Sequence, residues 1–399
     1  MIRRPPWILP VIVFSQFAGT AIWFSGNAVL ADLMPLWGAS SPMAGWLTGA
    51  VQIGFIAGTL VFSFFALADR FSPRRVFLLC AVGGAAANLA TIPAGGSLGW
   101  LLAMRFVCGL FLAGIYPVGM KIAAGWYARR LGGAMGFLIA ALVLGTAFPH
   151  LVESGTIGGA WQTVMALTSA VCVSGGVAMF LLVPDGPYLV RGRRFDPRAV
   201  AAVFSHRPLR AAAFGYFGHM WELYSWWAFL PLLIRSHTAA AATDTMDVGL
   251  WSFLAIAAGS LGCIAGGMIA TRAGSAAVAR VQLLGSGLCC LCAPYFFNTQ
   301  TPVFLCFLLL WGILVVGDSP QYSTIVAWTA PRDLVGSALT LVNGIGFSLT
   351  VVSLALLQWL SGRIPVAYVL ATLAVGPALG LLGMRGLDGD GNGTRKSGR

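Results

Sequence analysis

The chain has 399 residues, 58% of them hydrophobic and 9% charged, with a mean hydropathy of +0.85 and a formal net charge of +12. Such a composition lies far from that of a water-soluble domain and places the chain in the membrane class. The positive charge alone would admit a nucleic-acid partner, but its distribution excludes one, because the basic residues fall in the gaps between long apolar runs instead of forming one patch.

In chain order, twelve apolar runs long enough to cross a hydrocarbon core are expected as spans at 7–31, 42–67, 75–95, 99–122, 132–153, 160–183, 210–235, 247–270, 276–297, 302–328, 334–360 and 364–385. Arg3 and Arg4 open the chain as a signal peptide would. The apolar run after them outlasts the roughly 7–15 residues of a signal-peptide core, so it is read as the first span. Between spans 2 and 3, Ala68-Asp69-Arg70-Phe71-Ser72-Pro73-Arg74-Arg75 is a dense charge cluster wedged between apolar stretches, expected as a cytoplasmic hairpin. With both termini inside, all but Arg105, Arg235 and Arg363 of the 24 lysines and arginines face the cytoplasm, which is the positive-inside asymmetry. The eight cysteines all lie within expected spans, where a thiol acts as a small packing residue.

The main break in hydrophobicity, at 184–209, holds Pro184, Pro187, Pro197 and Pro208 among several arginines and separates six spans from six. The expected organisation is an N-terminal half at 1–183, a cytoplasmic linker at 184–209, a C-terminal half at 210–385 and a disordered cytoplasmic tail at 386–399. An internal repeat crosses the linker at an offset of 202: Asp69-Arg70 answers Thr271-Arg272, and Trp126-Tyr127-Ala128-Arg129 answers Trp328-Thr329-Ala330 with Arg332. Two six-helix halves related by an axis along the membrane normal are a transporter pattern.

The loop after span 2, with Ala68-Asp69-Arg70 and Arg74-Arg75, resembles a signature of the major facilitator superfamily, although Ser72 and Pro73 replace its glycine step. Arg105, Gly109, Ala113 and Gly114 resemble that family's span-4 signature. The resemblance covers essentially the whole chain and implies an all-α membrane protein of twelve transmembrane helices. Two departures narrow it. Gly145-Thr146-Ala147-Phe148-Pro149-His150 lacks the Gly-Pro-x-x-Gly-Gly of the family's drug/proton antiporters, and spans 2 and 8 lack the substrate arginines of its nitrate porters.

The resemblance implies that spans 1, 4, 7 and 10 line a central cavity, and side-chain periodicity is consistent with that. Gln16, Thr20, Trp23 and Asn27 share one face of span 1; Arg105, Gly109, Leu112 and Tyr116 one of span 4; Gly215, His219, Glu222 and Trp226 one of span 7; and Trp311, Val315, Asp318 and Tyr322 one of span 10. An ionised group inside a membrane costs at least about 2.5–3.5 kcal/mol and is usually aimed at a cavity or a partner. Glu222 and Asp318 are therefore the candidate proton-coupling acids, with a structural hydrogen bond as the alternative for each. Pro320 is expected to kink the helix at Asp318. Arg105 could pair with either acid, anchor an anionic solute or hold the outer loops. Gln16, Thr20, Trp23, Asn27, Tyr116, His219, Trp226 and Tyr322 complete the expected solute cavity, whose aromatics suit a ring-bearing or cationic solute. Asp69, Arg70, Arg74, Arg129 and Arg130 are expected to latch the cytoplasmic side, against the alternative that the arginines only anchor topology.

No phosphate-binding loop, convergent metal ligands or nucleophile–base pair is visible, so an enzyme, a metal and a cofactor are not expected. The reading is a monomeric, multi-pass secondary transporter of the inner or plasma membrane, moving a small organic solute by alternating access with proton coupling, symport ahead of efflux antiport. Its partners are the solute, protons and the lipid bilayer, with no nucleic acid. A nontransporting receptor or assembly factor on the same scaffold is the alternative of another class.

Overall fold

The structure, a computed structural model, describes residues 5–37, 43–93, 97–127, 131–154, 160–189, 196–241, 246–331 and 334–387, and within these the side chains of Asp69, Leu131 and Gly132 lie outside the description. The first stretch of chain forms α1 (Ile8–Thr20), α2 (Ser25–Ala28), α3 (Leu30–Leu33), α4 (Ala44–Phe64), α5 (Leu67–Arg70), α6 (Pro73–Leu89), α7 (Leu98–Leu112), α8 (Tyr116–Trp126), α9 (Leu131–Glu153) and α10 (Trp161–Leu182). The second forms α11 (Arg198–Ser205), α12 (Arg207–Ala240), α13 (Val248–Ala273), α14 (Ser275–Phe297), α15 (Thr301–Gly317), α16 (Ser319–Thr329), α17 (Val335–Leu360), α18 (Val366–Ala371) and α19 (Val375–Gly383).

Among the described residues, nine helices are long and apolar enough to cross a membrane, counting α7 with α8, α15 with α16, and the run through α18 and α19 as single spans. Three further expected spans are helical with a difference. Segment 7–31 breaks after the 13-residue α1, segment 75–95 forms the 17-residue α6, and segment 210–235 lies inside the 34-residue α12, which carries Arg207, Arg210, Glu222 and Arg235. Prolines at the first or second helical position start α6, α8, α12, α15 and α16, where a missing N–H costs nothing. Ser97 and Asp247 accept the Trp100 and Leu250 N–H groups and so cap α7 and α13. Large apolar side chains such as Leu60, Leu79, Leu181, Leu261, Leu291 and Leu379 point outward, as they do on a surface solvated by lipid tails.

The fourth long helix of each set is broken in the same way. α7 stops at Leu112 and α8 restarts at Tyr116-Pro117; α15 stops at Gly317 and α16 restarts at Ser319-Pro320; and α8 and α16 are both 11 residues long. The sequence repeat thus has a three-dimensional counterpart in the fourth long helix of each set. Each broken helix also packs backbone to backbone on a neighbour through glycine. A Cβ on Gly109 would stand 2.0 Å from the Val51 carbonyl oxygen of α4, and one on Gly312 would stand 1.9 Å from that of Ala255 on α13.

Two long seams join the sets: α9 runs along α13, and α4 along α17. At the α17 C-terminal end, the Gly45 N–H donates to Gln358 Oε1 at 3.0 Å. At the same end of the molecule Gly249 sits against Glu153 and the His150 carbonyl. A cleft of about 400 Å³ there is lined by Glu153, Arg235, Thr238, Ala239, Asp247, Val248 and Gly249. The opposite face carries the linker, whose first part docks on α8 (Trp126 Nε1 to the Pro184 carbonyl, 3.0 Å) and whose second part docks on α17 (Asp196 N–H to Ser337 Oγ, 2.9 Å). Arg198 donates to Asp196 and holds its carboxyl below the usual carboxylate range.

Candidate functional site

α12 brings two ionisable groups into the protein interior one turn apart. His219 Nδ1 stands 2.8 Å from Asp318 Oδ1, with both side chains 1% exposed. Asp318 occupies the single residue between α15 and α16, where Pro320 withholds a backbone donor. The approach is an ion-pair distance and not a hydrogen bond by geometry: neither Asp318 oxygen has a hydrogen-bond partner, and His219 Nε2 has none either. The rings of Tyr216 and Tyr322 flank the imidazole, each 5.9 Å from it. Tyr322 donates its hydroxyl to the Met384 sulfur at 3.4 Å.

One turn along α12, Glu222 accepts three hydrogen bonds: Trp311 Nε1 at 2.9 Å, Ser286 Oγ at 2.8 Å and Cys290 Sγ at 3.2 Å. Three neutral donors surround this buried carboxylate, and each of these hydrogen bonds strengthens when the group is ionised. Trp311 is itself fixed by Trp226, ring centroids 5.5 Å apart, so one member of the expected cavity backs the indole donor to Glu222.

Arg105 lies elsewhere. Fully buried, its guanidinium donates to the carbonyls of Ile22 (2.7 Å) and Trp23 (2.6 Å), to Asn88 Oδ1 (2.8 Å) and to Ser25 Oγ (3.0 Å). These carbonyls are freed where α1 breaks before α2, so a forked cation takes up acceptors that the helix has released. It pairs with neither Glu222 nor Asp318.

The remaining expected cavity residues divide by partner. Asn27 donates to Thr48 Oγ1 at 2.8 Å, and Thr20 back-bonds to the Gln16 carbonyl at 2.9 Å. Gln16 is buried with both amide atoms unpartnered, and its Oε1 would stand 2.1 Å from a Cβ on Gly119. Trp23 sits at the middle of an aromatic group with Phe55 (5.2 Å), Tyr224 (5.6 Å), Phe347 (6.1 Å) and Tyr116 (6.4 Å). Of the expected latch, Arg129, Arg130 and the Asp69 side chain lie outside the described residues, and Arg70 is exposed. Arg74 reaches the Phe180 carbonyl at 3.3 Å and Asp185 at 4.0 Å, and Ser72 donates to the same Asp185 at 3.0 Å. Lys121 ties α8 to the Ala68 carbonyl at 2.9 Å.

Sequence reasoning passed over Ser25, Asn88, Ser286, Cys290 and Asp185. Periodicity carried a signal for two of them, since Ser286 and Cys290 stand four apart on one face of α14. Among the described residues, no group of three His, Cys, Asp or Glu side chains could hold a metal ion.

The sequence profile of the Major Facilitator Superfamily matches residues 11–354. The niacin transporter NiaP of Acinetobacter baylyi is 25% identical over 334 residues, 72% of this chain and 70% of that protein. The probable actinorhodin transporter of Streptomyces coelicolor is 28% identical over 205 residues, half of this chain and 34% of its own length. The fold is similar to that of the human organic anion transporter MFSD10 (TETRAN), with a TM-score of 0.69, 16% identity, and coverage of 96% of this chain and 100% of that one. Nine long apolar helices, a buried polar centre at a repeated helix break and these likenesses agree: this chain is a multi-pass membrane protein and belongs to the Major Facilitator Superfamily of transporters.

Proposed function

We propose that the chain is a proton-coupled secondary transporter of a small organic solute, working by alternating access in the inner membrane, with solute and proton moving in the same direction. The observation that carries the coupling is the buried His219–Asp318 contact at a helix break, one turn from a second buried carboxylate, Glu222. An acid and a base in direct contact at 2.8 Å can exchange a proton without solvent. A break in the helix that carries the acid gives the site a joint about which exposure can alternate. The relative named as a niacin transporter supports a small organic solute. In this reading the chain crosses the membrane twelve times, as two six-helix halves joined by the 184–209 linker, with both termini cytoplasmic, and it acts as a monomer. Gln16, Thr20, Trp23, Asn27, Tyr116, Trp226 and Tyr322 line the solute path. Arg105 braces the first helix, and Arg70 and Arg74 with Asp69, Arg129 and Arg130 set the balance between states at the linker face.

The test is uptake into proteoliposomes under an imposed pH gradient, across amines, carboxylates, sugars and aromatic solutes. Symport predicts accumulation with an inward proton gradient that a protonophore abolishes. Accumulation against the proton flow would assign efflux antiport, and solute binding without flux would assign a receptor.

A further inference from the structure

The long seam between α4 and α17 holds a buried glycine beside open space and a buried amide without a hydrogen-bond partner. Its two ends are closed: Gly45 meets Gln358 and Leu354, and Phe55 packs on Phe347 with centroids 4.4 Å apart. Between them on α4 lie Gly49 and Gln52. Gly49 is buried, yet a Cβ built on it meets no heavy atom within 4 Å, so a space lies beside it inside the protein. Gln52, one turn further along the same face, is 0% exposed and has neither amide atom hydrogen-bonded.

Two more unpaired groups face the same stretch of α4. Thr48, Gln52 and Phe55 fall at i, i+4 and i+7, on one face of the helix. Thr48 holds Asn27, and Phe55 packs on Trp23. Asn27 spends its amide N–H on Thr48 and keeps a buried carbonyl free, while the Trp23 indole N–H has no acceptor. The unmatched set is therefore two donors, from Trp23 and Gln52, and two acceptors, from Gln52 and Asn27. Buried polar groups are rarely left in this condition, and a group of them beside an internal space asks for a complementary ligand. The wall is aromatic: Trp23, Phe55, Tyr224 and Phe347 form a chain of ring contacts at 4.4 to 6.1 Å, a surface that suits a flat ring. No carboxylate is among these groups, and Arg105 spends both terminal nitrogens on four neutral acceptors, its buried Nε–H alone staying unpaired.

We propose that the space bounded by Gly49, Gln52, Asn27 and the Trp23–Phe55–Phe347 rings binds an uncharged planar aromatic solute through an amide-type edge, a donor and an acceptor side by side. The proposal rests on the transporter reading and names the solute class of its path. It also gives Gln52 a specificity-determining role, because a site with unpaired amide groups rejects ligands that cannot bond to them.

The test is equilibrium dialysis of radiolabelled benzamide and nicotinamide against the full chain in lipid nanodiscs, with cyclohexanecarboxamide and benzoate as the non-aromatic and charged counterparts. The two aromatic amides should bind saturably, and the counterparts at least tenfold more weakly. Gln52→Leu should weaken amide binding at least tenfold while the unliganded protein keeps or raises its Tm, because no protein bond is lost. Gly49→Val, which fills the space, should weaken binding in the same way. The proposal is overturned if neither amide saturates, if the non-aromatic or charged solute binds as tightly, or if Gln52→Leu binds like the parent or lowers the Tm. Saturable amide binding with no flux would overturn the transporter reading and leave this site standing. Flux of another solute class without amide binding would do the reverse.

Discussion

His219 Nδ1 and Asp318 Oδ1 are 2.8 Å apart with both side chains 1% exposed, and the acid stands at the one residue that interrupts α15 and α16. Removing one member of a buried pair strands the other and costs about 3–5 kcal/mol. His219→Ala should therefore lower the unfolding free energy by that order, and the double variant His219→Leu/Asp318→Leu should recover most of the loss, as read from thermal melts in one detergent.

Glu222 makes a separate prediction. A hydrogen bond to an ionised group is worth about 1.5–3 kcal/mol, so Trp311→Phe, Ser286→Ala and Cys290→Ala should each destabilise the protein. In a Glu222→Gln background the same substitutions should each cost less than half as much, because their shared acceptor has lost its charge. Equal costs in both backgrounds would show that the three donors act through packing alone.

For Arg105 the account predicts a stability defect. An unsatisfied buried carbonyl costs about 1–3 kcal/mol, and a lysine ammonium lacks the fork that reaches Ile22, Trp23, Ser25 and Asn88 together. Arg105→Lys should lose about 2 kcal/mol or more, and Asn88→Ala should shift the Tm in the same direction. A normal Tm with a raised KM for an anionic solute would instead make Arg105 a substrate ligand.

Glycine substitutions along α4 should separate sharply. A Cβ on Gly54 would meet the Phe106 carbonyl oxygen at 2.0 Å, whereas one on Gly49 meets nothing within 4 Å. Overpacking typically costs about 1–3 kcal/mol, so Gly54→Ala should lower the Tm clearly while Gly49→Ala leaves it unchanged or slightly higher. Parallel melts of the two variants check this.

Much of the architecture was legible because apolar length and basic gaps are one-dimensional properties. The Trp126/Trp328 repeat falls at the C-terminal ends of α8 and α16 alike, and Pro320 announced the break at Asp318. The broken first helix was not legible, since Ala21–Phe24 contains no proline or glycine and its freed carbonyls are held by Arg105 from α7. The acids stood out because an ionisable group is rare in an apolar run. Their partners did not: serine, cysteine and asparagine are ordinary in membrane helices, and Ser286 meets Glu222 across 64 residues of chain. Gln52 was invisible for a related reason. Its significance lies in having no partner, which a sequence cannot record.

The most direct test of the central claim is solute-induced proton movement in proteoliposomes, comparing the parent chain with Asp318→Asn and with Glu222→Gln. The account predicts alkalinisation of the medium when the transported solute is added outside, loss of that signal in Asp318→Asn, and retention of solute exchange across the membrane in the same variant. Undiminished proton movement in both variants would contradict the assignment of coupling to these buried acids.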